Sequence, residues 1–81
     1  MKGSFAILGA GRLGRTLGRL LERRGLRPGG ISCRTLRSAR RAVSFIGGGR
    51  PTTSNVRAAE GCGLVLICTP DRIIASVARE L

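Results

Sequence analysis

The length, composition and charge of the chain exclude several classes of protein. It has 81 residues with a formal charge of +11, and a domain of this size buries only about 60% of the surface that its unfolded chain exposes, which allows one small core. The longest apolar runs, residues 5–10 and 64–68, are far shorter than the about 20 residues of a membrane-spanning helix, so a transmembrane protein is excluded. The first run is also too short for the apolar part of a secretion signal.

The cysteines indicate a reduced, cytoplasmic setting. The 3 cysteines are odd in number, have no C-x-x-C spacing and are accompanied by no histidine, which argues against both a disulfide framework and a zinc site. We therefore expect a cytoplasmic protein that binds no metal and has no contact with a membrane.

The positive charge raises the question of a nucleic-acid partner. All basic residues except Lys2 are arginines, and they are scattered along the chain instead of being gathered in a tail. The chain has 2 Phe and no Trp or Tyr, so it offers almost no aromatic surface on which bases could stack. Nucleic-acid binding therefore remains only a secondary alternative.

The first predicted elements are a buried strand over residues 4–8 and a helix over residues 12–24. Leucines at helical spacing give this helix one apolar face, and Gly25 predicts its C-terminal end. The residues of that face are Leu13, Leu17, Leu20 and Leu21. The chain thus begins with a strand followed by an amphipathic helix.

The remaining segments also alternate between strand and helix patterns. Residues 30–33, 51–54 and 64–68 predict strands, and residues 55–60 predict a single helical turn. A helix capped by Thr35 or Ser38 follows the second strand, and its apolar residues are Ala39, Ala42, Val43 and Ile46. A last helix is predicted after Asp71, which would cap it, and its apolar residues are Ile73, Ile74, Val77, Ala78 and Leu81.

This alternation predicts a parallel sheet with right-handed crossovers. A complete doubly wound domain has about six strands, and this chain provides fewer. We therefore expect an α/β, Rossmann-type three-layer domain with a small, mostly parallel sheet, which is an incomplete doubly wound fold. Residues 1–81 would form a single domain, the N-terminal part of a longer enzyme. The apolar face of the last helix would pack on a missing C-terminal domain or on a second copy of the chain.

The motif that carries chemistry is G-x-G-x-x-G at residues 9–14, between the first strand and the first helix. In this context Gly9 allows a tight turn, Gly11 allows the backbone to approach a pyrophosphate, and Gly14 allows the helix to pack closely on the sheet. The amide groups and the dipole at the helix start attract phosphates. The residues predicted to bind the pyrophosphate are Gly9, Ala10, Gly11, Arg12, Leu13 and Gly14.

The residues after the second strand favour NADP over NAD as the cofactor. NAD-binding domains place an acid about 20 residues beyond the motif, where it accepts the ribose hydroxyls. This chain has Arg34, Thr35 and Arg37 in that region, and it has no acid between Glu22 and Glu60. Because a guanidinium pairs with a phosphate dianion and a carboxylate repels it, we predict that these three residues bind the adenosine 2′-phosphate.

Three segments resemble a known group of reductases. They are the motif with its preceding strand at residues 5–14, the Cys-Arg-Thr stretch at residues 33–35, and Leu-Val-Leu-Ile-Cys-Thr-Pro-Asp at residues 64–71. They are similar to the N-terminal Rossmann-like domain of NADP-dependent reductases related to pyrroline-5-carboxylate reductase and F420-dependent NADP oxidoreductase. The similarity is greatest to uncharacterised proteins in which this domain precedes a helical domain of unknown function.

The resemblance implies further roles along nearly the whole chain. It implies an NADP(H)-binding domain of an oxidoreductase, with the 2′-phosphate on Arg34 and Thr35. It also implies that a strand end lies along the ribose and the nicotinamide, and the residues at that position here are Cys68, Thr69 and Pro70. Relatives continue into a helical domain that forms the dimer and completes the substrate pocket, so the substrate is not predicted.

No residue is predicted to be catalytic. The chain has no His or Tyr, and Lys2 precedes the first strand. The three cysteines, Cys33, Cys62 and Cys68, are expected to be small buried apolar residues and not nucleophiles. Two alternatives to the oxidoreductase hypothesis stay open, a non-catalytic dinucleotide-sensing or scaffold module and a basic nucleic-acid-binding protein.

Overall fold

A computed structural model describes residues 3–69 and 72–77. Within these residues the chain alternates between strands and helices up to the fourth strand and then adds a fifth strand. In chain order the elements are β1 (Ser4–Leu8), α1 (Arg12–Arg23), β2 (Arg27–Ser32), α2 (Leu36–Ile46), β3 (Arg50–Thr52), α3 (Asn55–Ala59), β4 (Leu64–Thr69) and β5 (Arg72–Val77).

The strands form a single sheet in the order β3-β2-β1-β4-β5. The first four are parallel to one another, and β5 runs antiparallel to β4. The predicted α/β Rossmann-like fold is therefore confirmed. The chain moves from β1 through β2 to β3 on one side and then crosses to β4 on the other side of β1. Ligands of such sheets bind at this point of reversal, beyond the carboxyl ends of the strands.

Alternating residues of β1 pack on opposite faces of the sheet, as the period of a strand requires. Phe5 and Ile7 are fully buried in a cluster that also contains Ile46 of α2. Ala6 lies in a second cluster with Cys62, against which Ala59 of α3 packs. The helices α1 and α2 thus cover one face and α3 covers the other, which gives three layers.

Helix α1 lies close to the sheet because its buried residues are glycines, Gly14 and Gly18. A Cβ atom would lie 3.1 Å from Cγ2 of Ile7 if added to Gly14 and 2.7 Å from Cδ1 of Ile46 if added to Gly18, so a larger residue at either position would crowd the core side chains. Because the helix faces the sheet through Gly14 and Gly18, only some of its leucines pack against the core. Leu17 and Leu21 pack against the core, whereas Leu13 and Leu20 of the predicted apolar face are 50% and 54% exposed.

The predicted last helix is wrong, because residues 72–77 form β5. Three of these residues, Ile73, Ile74 and Val77, are β-branched, and such side chains favour a strand over a helix. Pairing with β4, in which Ile74 is opposite Ile67, also provides partners for the backbone groups at that edge of the sheet. Asp71, Ala78 and Leu81 lie outside the described residues. The apolar helical face that suggested a second copy does not form over residues 72–77.

The other predicted elements are present, β1 with the predicted ends and most of the rest with at least one end shifted. The largest shift is in β2, which was predicted to begin at Gly30 and begins at Arg27. Its first residues include Pro28 and Gly29, which are rare inside strands and resemble a turn. The predicted end of α1 is confirmed, since Gly25 has a φ of 97° and its amide donates to the carbonyl of Glu22 at 3.0 Å.

Candidate functional site

The turn that follows β1 requires glycine at its first position. Gly9 has a φ of 79°, a left-handed conformation that other residues rarely adopt. A Cβ atom there would also lie 2.5 Å from the carbonyl oxygen of Cys68 in β4. The chain leaves β1 by a sharp turn pressed against the neighbouring strand, and the predicted reason for this glycine is confirmed.

The turn is anchored to the end of β2 through Ser32. The amides of Gly9 and Ala10 donate to the carbonyl oxygen of Ser32 at 3.0 and 2.8 Å. The hydroxyl of Ser32 also accepts from the Gly9 amide at 3.3 Å and donates to Oδ1 of Asn55 at 2.6 Å. Neither Ser32 nor Asn55 is predicted from the sequence, because no local pattern marks hydrogen bonds between residues so far apart along the chain.

The start of α1 presents amide groups that have no partner among the described residues. The amide of Gly11 donates back to Gly9 at 2.8 Å, and the first amide bonded within the helix belongs to Arg15. Between them lie the amides of Arg12, Leu13 and Gly14. In the described part of the chain no side chain caps this helix at Gly11, and its first turn contains no acid.

This helix start has the chemistry of an anion site. Its amide groups point out of the N-terminus together with the positive end of the helix dipole. A Cβ atom added to Gly11 would have no atom of the described residues within 4 Å beyond its chain neighbours, so these residues leave the space in front of the turn open. A pyrophosphate fits both features, because it needs several donors and a close approach to the backbone.

The predicted 2′-phosphate residues lie in the chain segment after β2, whose last residue, Ser32, is hydrogen-bonded to this turn. Arg34, Thr35 and Arg37 are all exposed. Thr35 caps α2, because its hydroxyl oxygen accepts from the amide of Ser38 at 3.1 Å. Since the Thr35 hydroxyl also donates to the hydroxyl of Ser38 at 3.1 Å, the two guanidiniums are the groups most open to an anion.

A shallow cavity of about 460 Å³ lies along the exposed surface of α2. It shares Arg37 with the predicted phosphate residues, and no residue of the turn at 9–14 lines it. The full set of lining residues is Arg37, Arg40, Arg41 and Ser44. The cavity therefore continues from Arg37 along the exposed arginines of α2 and is separate from the Gly-rich turn.

The end of β4 approaches the same turn from the other side. Cys68 is 4% exposed, and burial raises the pKa of its thiol. Burial likewise raises the pKa of Cys33, whose thiol donates to the carbonyl of Ala10 at 3.1 Å. Both shifts favour the protonated thiol over the thiolate, which is the nucleophilic form. Thr69 is the last residue of β4, and Pro70 lies outside the described residues.

Residues 3–69 and 72–77 contain neither a metal-binding cluster nor a helix suited to cross a membrane. In that part of the chain, no three His, Cys, Asp or Glu side chains are arranged to hold a metal ion. None of the helices found there combines the length and apolar character needed to cross a membrane.

Comparison with known proteins identifies the family of the chain. The family model described as NADP oxidoreductase coenzyme F420-dependent matches residues 4–81. No curated protein and no solved structure matches the chain significantly. The match includes the turn at 9–14, the segment after β2 and the end of β4.

Proposed function

The chain belongs to the NADP oxidoreductase coenzyme F420-dependent family, and from this membership we propose that residues 1–81 are the NADP(H)-binding domain of a cytoplasmic oxidoreductase. The family implies a nicotinamide dinucleotide cofactor. Its bound nicotinamide would supply the hydride chemistry, while the protein supplies position, charge and exclusion of water.

The pyrophosphate binds at the turn of residues 9–14. The observation that carries this proposal is the start of α1, where three amide groups have no partner among the described residues and no capping side chain competes for them. The open space in front of Gly11 gives the phosphates access to those amides. Arg12 is exposed beside them and adds positive charge to the same region.

The adenosine 2′-phosphate binds to Arg34, with Arg37 and Thr35 beside it. Both arginines are exposed and follow β2, on the side of β1 where the adenosine half of the cofactor lies in sheets of this order. A guanidinium donates two parallel hydrogen bonds to a phosphate, which favours NADP over NAD. Thr35 contributes mainly by holding the first turn of α2 in place.

The ribose and nicotinamide follow the end of β4, along residues 68–70. The carbonyl of Cys68 borders the turn, which brings this strand end next to the pyrophosphate site. We expect a further C-terminal domain or a second copy of the chain to enclose the nicotinamide and to select the substrate, as the resemblance to the NADP-dependent reductases implies.

The Gly-rich turn can be tested with Gly11→Ala. Among residues 3–69 and 72–77 the new methyl group meets no atom within 4 Å beyond its chain neighbours, and Gly11 has a negative φ. We therefore expect the fold to be retained and only a ligand in front of the turn to be obstructed. We expect NADPH affinity to fall at least about tenfold, equivalent to about 1.4 kcal/mol, in a fluorescence titration.

Gly3→Ala is the matched control for this variant. Gly3 is exposed, and a methyl group added there also meets no atom of the described part of the chain within 4 Å beyond its neighbours. The control should bind NADPH like the unmodified protein. Equal affinities of Gly11→Ala and Gly3→Ala would contradict a pyrophosphate at this turn.

A further inference from the structure

We infer that the buried hydroxyl of Ser32 positions the Gly-rich turn for the cofactor, and that Asn55 fixes the orientation of this hydroxyl. The inference rests on the proposed function, because it assigns the two residues a role in NADPH binding. Both act through the backbone of the turn, so they are positioning residues.

The side chain of Ser32 is polar and fully buried. It is 1% exposed and lies beside Ile31, at the carboxyl end of β2. A buried hydroxyl costs free energy unless it is hydrogen-bonded, and an alanine would fill this space without that cost. The hydroxyl of Ser32 has two partners, Asn55 and the amide of Gly9.

The direction of these hydrogen bonds follows from the chemistry of the groups. The Oδ1 atom of Asn55 can only accept, so the 2.6 Å contact uses the single hydroxyl proton of Ser32. A lone pair of the hydroxyl oxygen then faces the Gly9 amide at 3.3 Å. The backbone carbonyl of Ser32 also accepts from the amides of Gly9 and Ala10, and these bonds continue the ladder between β1 and β2. Any residue at position 32 could provide this carbonyl. Only the hydroxyl bond depends on the identity of the side chain.

The result is a row of contacts that crosses three elements at the carboxyl edge of the sheet. It joins the end of β1, the end of β2 and the start of α3 through Gly9, Ser32 and Asn55. A turn rich in glycine loses much backbone freedom when a ligand fixes it. Holding Gly9 in place before the cofactor arrives reduces that entropic cost, and affinity rises accordingly.

The test measures NADPH affinity in Ser32→Ala, in Asn55→Ala and in the double variant. Each single change should weaken binding about three- to tenfold, the range of one neutral hydrogen bond. The double variant should bind NADPH no more weakly than whichever single variant binds it less well, since both changes remove the contact between Ser32 and Asn55.

Asn55 is exposed, so its variant keeps the fold even if Ser32→Ala is destabilised. Thr53→Ala, at an exposed position two residues from Asn55, is the control and should bind normally.

Backbone amide exchange of Gly9 in the cofactor-free protein gives an independent measurement. The Gly9 amide keeps its 3.0 Å bond to the Ser32 carbonyl in the variants, so its exchange should be only modestly faster in both single variants. It should be unchanged in Thr53→Ala. A general loss of stability would instead speed exchange throughout the chain. Unchanged NADPH affinity in both single variants would overturn the inference and leave the proposed function intact. If the unmodified protein fails to bind NADPH, the proposed function fails instead. In that case the exchange measurement still tests the positioning role, and a Gly9 exchange rate in both variants equal to that of the unmodified protein would overturn it.

Discussion

Replacing Arg34 with glutamate is expected to weaken NADPH binding about 30- to 150-fold, equivalent to about 2 to 3 kcal/mol. The change removes a charge-assisted pair with the 2′-phosphate and places a carboxylate next to that dianion. NADH lacks this phosphate, and a carboxylate after β2 can accept its ribose hydroxyls, so NADH affinity should stay constant or increase. Because Arg34 is exposed, the fold is retained.

The matched control for the cofactor preference is Arg27→Glu. Arg27 is exposed at the amino end of β2, whereas Arg34 follows the carboxyl end, and both variants change the net charge equally. Titrations with NADPH and NADH should show reversed preference in Arg34→Glu and a preserved preference in Arg27→Glu. If both variants weaken NADPH to the same degree, the general positive charge of the surface attracts the cofactor, and Arg34 does not recognise the 2′-phosphate.

Gly30→Ala is expected to destabilise the fold more than a change on the surface would. Gly30 lies in β2 beneath α3, and a Cβ atom there would overlap with the backbone carbonyl and Cα of Ala58. Because the obstacle is backbone, α3 has to move away from the sheet. We expect a loss of at least about 3 kcal/mol in the free energy of unfolding. For a domain of this size that lowers the Tm by about 12 to 24 °C.

Thermal unfolding followed by circular dichroism measures this effect, with Gly3→Ala as the control. A Cβ atom on Gly3 meets no described residue within 4 Å beyond its chain neighbours, so its variant should unfold within a few degrees of the unmodified protein. A Gly30→Ala protein with an unchanged Tm would show that α3 does not pack its backbone against β2.

Local patterns were sufficient to predict the parts of the fold that carry the proposed site. The apolar run before Gly9 and the leucine spacing after Gly11 predicted β1 and α1, and both elements are present. The Gly-rich motif indicates a dinucleotide-binding turn because it stands between this strand and this helix. The family match confirms the predicted resemblance to NADP-dependent reductases. Thr35 was correctly predicted as one of two candidate caps of α2.

Contacts between distant segments decided the features that were not predicted. The apolar residues of the last segment fit a helix or a strand, and the available edge of β4 is what makes them β5. Pro28 and Gly29 resemble a turn in sequence, but Gly29 is required in β2, where a Cβ atom would lie 2.5 Å from the sulfur of Cys62. The contact between Ser32 and Asn55 likewise depends on the order of strands in the sheet.

The most direct test of the proposed cofactor is a titration of the unmodified protein with NADPH and with NADH. Nicotinamide fluorescence reports binding, and repeating both titrations at high salt suppresses non-specific attraction to the surface of charge +11. The proposal predicts that NADPH binding persists in salt and exceeds NADH binding at least about tenfold, equivalent to about 1.4 kcal/mol. Equal affinities for both nucleotides, lost together at high salt, would contradict it.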